Sequence, residues 1–171
     1  LTKAAVAGVV DFSGELANID LIGSKVLRAT KADTSGSGGT GTLTVDTNSF
    51  TITHAPASQL SWDTQPADPT GAGLNILPTI EILDTYGNLV TTGADATASI
   101  SLSIQSGTGS LFGTTSKTAT SGVVSFTATE AVNIQTTGAK VLRATKADTT
   151  GGGGTASVTA DSNSFTITHG T

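Results

Sequence analysis

The chain has 171 residues, a net charge of −5 and no cysteine. Disulfides and thiolate metal sites are excluded, and the acidic balance lacks the basic footprint that nucleic-acid binding requires. No stretch approaches the ~18 consecutive apolar residues that a membrane-crossing helix needs.

Taken from the N-terminus, the residues alternate with period two in short segments separated by Gly, Asp, Asn and Pro, which is the pattern of β-strands. Thr is the commonest residue, and 21 glycines accompany it. Thr is β-branched and stiff at χ1, so it favours strands over helix. With 36% apolar and only 4% aromatic residues, the core is expected to be thin, aliphatic and Ala-rich.

Residues 1–54 carry Gly8-Val9-Val10, then Asn18-Ile19, then a long segment from Gly23 to His54 that returns later in the chain. Residues 23–54 and 138–169 share 24 of 32 positions at an offset of 115 (138 − 23). Upstream, Gly8-Val9-Val10 matches Gly122-Val123-Val124 at 114, so the later copy has one inserted residue. A period of about 115 residues is the size of a domain, not of a solenoid repeat.

The next segment occurs once. Leu60 and Trp62 share a face in a first strand that stops at Thr64-Gln65-Pro66. Ile80 and Ile82 share a face in the next, with Glu81 outward. Asp84-Thr85-Tyr86-Gly87-Asn88 is expected to turn, capped by the Asp side chain. Ala98, Ile100, Leu102 and Ile104 alternate with Thr97, Ser99, Ser101 and Ser103, the clearest half-buried strand. Short strands follow at Leu111-Phe112 and from Val123 to Phe126.

The repeated segment closes the unit. From Lys140 to Lys146, Leu142 and Ala144 are expected inward and Val141, Arg143 and Thr145 outward. Gly151 to Gly154 reads as a flexible hairpin loop and not as a phosphate loop, since no Lys-Ser/Thr follows it. Val158 and Ala160 are even-numbered, whereas Phe165 and Ile167 are odd. That parity change places a β-bulge or tight turn at Asp161-Ser162-Asn163.

Seven or eight short strands in some 113 residues predict an all-β, two-sheet sandwich. The expected domains are an incomplete C-terminal half-repeat at 1–54, a short linker at 55–58, and a complete repeat at 59–171. The half-unit at 1–54 exposes an apolar face (Val9, Phe12, Leu27, Ile52). Its missing first half is expected either from a longer polypeptide or from a partner that donates strands, the alternative in which the chain is a filament subunit.

Leu60 to Pro66 (LSWDTQP), Ile80 to Asn88 (IEILDTYGN) and Gly122 to Phe126 (GVVSF) resemble the tandem bacterial immunoglobulin-like repeats of cell-surface proteins. The DTYGN turn and GVVSF strand are also similar to the shafts of invasin- and intimin-type adhesins. The resemblance implies immunoglobulin-like sandwiches, an extracellular location and a structural role as stalk, fibre or adhesin shaft. It brings no catalytic residue, no cofactor and no membrane insertion. The implied partners are neighbouring repeats of the same polypeptide, laterally associated copies, or a cell-surface or glycan ligand.

Chemistry is sparse. His54 and His169 occupy one repeat position and read as polar packing near a junction, not as catalytic bases. The candidate ligand contacts are Tyr86, expected exposed in its turn, and Trp62, which could stack on a sugar but alternates with Leu60 and so fits the core better. That alternative makes the chain a carbohydrate- or ligand-binding accessory module. Asp63, Asp68, Asp84 and Asp95 have the donor type that suits calcium, but no clustered Asp-x-Asp pattern sets them apart from turn residues.

Overall fold

The computed structural model describes residues 1–15 and 17–170; Thr171, the expected end of the complete repeat, lies outside them. The fold is all-β. The chain divides into two units, Leu1–Thr53 and His54–Thr171.

The first unit contains two antiparallel hairpin-like pairs. Strand β1 (Gly23–Lys25) pairs with β4 (Phe50–Ile52), and β2 (Arg28–Lys31) with β3 (Leu43–Asp46). None of the described residues of this unit is buried. Of the face expected to be exposed, Val9, Phe12 and Leu27 are exposed, whereas Ile52 is half-buried where β4 pairs with β1.

In the second unit one sheet has the order β11-β7-β5. It comprises β5 (Ala57–Thr64), β7 (Thr79–Asp84) and β11 (Val123–Ser125). All its pairings are antiparallel, with Leu60 opposite Ile82 and Trp62 opposite Ile80. The larger sheet contains β6 (Thr70–Gly71), β8 (Ser99–Ser106), β10 (Ser116–Thr118), β13 (Gly138–Lys146), β14 (Val158–Asp161) and β15 (Phe165–Thr168). Its order is β10-β8-β13-β15-β6, with β14 also on β13. A small ladder joins β9 (Leu111–Phe112) to β12 (Asn133–Ile134). Two short 3₁₀ turns, Asp95–Thr97 and Thr150–Gly152, complete the unit.

The two sheets share one apolar core, an arrangement consistent with a β-sandwich. Leu60, Trp62, Ile80 and Ile82 face Ile100, Leu102, Leu142, Ala144, Phe165 and Ile167 across it. Each of the Leu, Ile and Phe side chains among them contributes roughly 1.5–3 kcal/mol of transfer free energy. Period-two alternation therefore decides which residues stabilise the unit, because a pleated strand sends alternate side chains to opposite faces.

Three expectations change. The segment read as a linker is only partly one. Ala57 and Ser58 already belong to β5, Ala57 is buried, and the Ala55 amide donates to Asp84 Oδ2 at 2.9 Å. The structure also contains more strands than the seven or eight expected. Several ladders are only two or three residues long, too short to show a period in sequence. Third, the glycine-rich segment is tied down. The Thr150–Gly152 turn sits in it, the Lys146 ammonium donates to the Thr155 carbonyl, and Thr149 Oγ1 accepts from the Thr155 amide.

The parity change does fall at Asp161-Ser162-Asn163. Strand β13 pairs Arg143 with Asp161 on one side of it and Lys140 with Phe165 on the other. Those position sums, 304 and 305, differ by one residue. Buried Ser162 fills the irregularity: its amide donates to the Leu142 carbonyl, and its Oγ accepts from the Leu142 amide at 3.0 Å.

Candidate functional site

The two proposed ligand contacts do not form one site. Trp62 is 9% exposed, and its indole Nε1 donates to the Ala160 carbonyl at 3.3 Å. Enclosed between β5 and β14, it presents no face to a sugar; its alternation with Leu60 already pointed inward. Tyr86 is 56% exposed at the tip of the turn after β7. Ala57 pairs with Asp84 at that end of the sheet, whereas Trp62 pairs with Ile80. Four positions of β7, about 13 Å at 3.3 Å each, separate the levels of Trp62 and Asp84.

The densest polar chemistry lies instead where the second unit begins. Asp84, fully buried, is a hub. Its Oδ1 accepts from the Tyr86 and Asn88 amides at 2.9 Å each, and its Oδ2 from the Ala55 amide. The Asn88 side-chain amide donates to Oδ2 at 3.0 Å. Burial pushes this carboxyl up, but Asn88 and the three backbone donors outweigh it and hold the pKa down at about 2. The turn forms because Gly87 takes φ +83° at no steric cost while Asp84 satisfies its amides.

Next to this hub, His54 Nδ1 lies 2.9 Å from the Ala55 carbonyl. Its Nε2 lies 2.8 Å from Thr92 Oγ1 and accepts from the Thr92 amide at 3.3 Å. A carbonyl can only accept, so Nδ1 carries the proton and Nε2 is the acceptor. Both ring nitrogens are thus engaged by neighbours in positioning the chain, which is the polar packing expected of this residue.

The second cluster was missed in sequence. Lys140, Leu142, Ala144 and Lys146 are all even-numbered on β13, and the structure buries all four. The parity that pointed Leu142 inward applied equally to both lysines. Lys146, with no side-chain exposure, lies 2.8 Å from Asp95 Oδ1. The carbonyls of Ala147, Thr155 and Ala156 and Thr149 Oγ1 also lie 3.1–3.2 Å from its ammonium, which shares its three N–H donors among them. Asp95 Oδ1 further accepts from Thr149 Oγ1 and from the Thr155 amide and hydroxyl. Burial opposes ionisation of Asp95, yet the Lys146 ammonium and the Thr149 and Thr155 donors hold it well below the usual aspartate range. Lys140 Nζ meets the Thr137 and Gly138 carbonyls. Strand β13 thus carries a buried lysine toward each end, on the same face as Leu142 and Ala144.

Three of the four aspartates with calcium-type donors are engaged in hydrogen bonds within the second unit. Asp84 and Asp95 serve these networks, and Asp68 Oδ1 accepts from the Thr166 amide at 2.8 Å. Among the described residues, no group of three or more His, Asp or Glu is placed to hold a metal ion. Among the described residues, no helix is long and apolar enough to cross a membrane.

His54, Pro56, Thr92, Gly153 and Thr155 line a shallow, open depression over these networks. On its rim His54 is bonded to Thr92 and Asp95 to the Thr155 amide and hydroxyl, contacts that clamp chain segments of the second unit together. Comparison of the chain with family models, with curated proteins and with solved structures finds no match.

Proposed function

We propose that this chain is part of a tandem array of immunoglobulin-like domains with a structural role at the outside of a cell, as a stalk, fibre or adhesin shaft. One observation carries the reading. Two stretches 115 residues apart, identical at 24 of 32 positions, keep the same side-chain pairings. Arg28 grips Asp46 through Nε and Nη2 at 2.7 and 2.8 Å, and Arg143 grips Asp161 in the same way at 2.7 and 2.9 Å. A domain-sized sequence repeat of this kind is what serial building units produce.

The polar clusters fit a structural role as well. Asp84, His54 and the Asp95–Lys146 pair spend their donors and acceptors on holding chain segments of the second unit. No catalytic role or cofactor is proposed for any of them. In this reading the partners are neighbouring repeats and, beyond them, laterally associated copies or a surface or glycan ligand.

Antibodies raised against the chain test the proposal on intact cells of the producing organism. Labelling without permeabilisation, removed by external protease, is the expected result. Labelling that appears only after lysis sinks the extracellular shaft. The binding-module alternative now rests on Tyr86 alone, since Trp62 is enclosed. A glycan array probed with the chain and with Tyr86→Ala decides it.

A further inference from the structure

Residues 1–53 reproduce the local geometry of the later half of the second unit without its cover. The Val6–Val9 bridge, with Ala7 at φ 51° and Gly8 at φ 80°, repeats the Thr120–Val123 bridge with Ser121 at 49° and Gly122 at 81°. The Lys3–Glu15 ion pair at 2.9 Å repeats Lys117–Glu130 at 2.8 Å. Gly23 faces Ile52 as Gly138 faces Ile167.

Only the cover differs. Val124, Phe126 and Leu142 are 1%, 2% and 0% exposed, whereas Val10, Phe12 and Leu27 are 40%, 43% and 51% exposed. In the second unit that cover comes from residues ahead of β11, namely β5, β7 and β8. A Cβ on Gly122 would strike the Val90 carbonyl, but a Cβ on Gly8 meets nothing within 4 Å.

The charges point the same way. Lys31 holds its glycine-rich loop through the Ala32 carbonyl, Thr34 Oγ1 and the Thr40 carbonyl. Lys146 makes the equivalent bonds and also meets Asp95, which comes from the covering segment. An apolar face beside an ammonium awaiting a carboxylate specifies its occupant chemically.

We propose that residues 1–53 are the acceptor half of a domain. Its other half is a segment joined ahead of Leu1 in the same polypeptide, with the apolar pattern of residues 57–114 and an aspartate that meets Lys31 as Asp95 meets Lys146. The proposal rests on the repeat reading above. A second copy of the chain is not the occupant, because its own residues 57–114 already cover its own later half. Exchange between copies would leave the count at one first half for two second halves.

The test joins an additional copy of residues 55–114 to the N-terminus of the full chain and follows hydrogen exchange by mass spectrometry. Amides of residues 23–53 are expected to slow by about a hundredfold or more, towards the rates of residues 138–168 in the same molecule. Changing the added copy's counterpart of Asp95 to Ala is expected to reverse this first in the loop beside Lys31. Exchange at 23–53 as fast as in the unextended chain overturns the proposal, whatever happens at 138–168. Equal protection from the same segment added as a separate polypeptide overturns the same-chain source and favours strand donation between molecules. Surface labelling is independent of either result, so the shaft reading stands or falls separately.

Discussion

Lys146 buries a charge that only a specific set of partners makes tolerable. Removing one member of a buried pair strands the other, at a cost of about 3–5 kcal/mol, whereas replacing both with apolar groups is often close to neutral. Asp95→Ala is therefore expected to destabilise the second unit by about 3–5 kcal/mol in urea denaturation. Asp95→Leu combined with Lys146→Met should recover most of that loss, and equal destabilisation in the two variants would show that the pair is incidental. Ser162 is a smaller case of the same principle. Its hydroxyl satisfies the buried Leu142 amide, so Ser162→Ala is expected to cost about 1–3 kcal/mol, the penalty of an orphaned buried donor.

Among the elements, the turn after β7 is held by its own Asp84 and Asn88, whereas the glycine-rich loop rests on Asp95, more than 50 positions earlier in the chain. Gly122 shows how closely these elements pack. Its positive φ and its contact with the Val90 carbonyl both require a bare Cα. Gly122→Ala is expected to lower the melting temperature of the second unit by several degrees, while Gly8→Ala, which meets open space, should shift nothing beyond the smaller φ penalty. If the two substitutions cost the same, packing of the turn against β7 and the following segment is not what selects glycine.

For the whole molecule, acid is the natural probe. Asp84 and Glu130 are both held down at about 2, from ordinary values of 3.8 and 4.5. For Glu130 the Lys117 hydrogen bond is the first cause, followed by the Thr127 donors. Asp95 is lowered in the same direction. Folded-state pKa values below unfolded ones mean stability that is fully present above about pH 4.5 and lost as pH falls towards 2. Denaturation midpoints measured from pH 7 to 2 should stay level and then drop in that window, with a shallower drop for Asp84→Asn. A midpoint that is flat to pH 2 would contradict the assigned networks. Limited proteolysis should meanwhile trim residues 1–53 well before it cuts 54–170, since no described residue of the first unit is buried.

Much of this was legible from residues alone. Alternation of Leu60 with Trp62, and of Ile100 with Leu102, named their buried faces, because a pleat has only two sides. The parity change before Phe165 located the irregularity that Ser162 fills, and the DTYGN turn followed from side-chain chemistry local to five residues. The likeness of residues 23–54 to 138–169 needed no coordinates at all. The rest depended on contacts distant in sequence. Lys146 obeyed the inward parity of Leu142, yet its burial made sense only once folding brought Asp95, 51 positions earlier, to its ammonium. Ala57 and Ser58 read as linker until Asp84 tied Ala55 to the far end of β7. Periodicity is written in neighbouring residues and so survives in the sequence; the partner of a buried charge is set by which loops the fold brings together, and that only the tertiary structure decided.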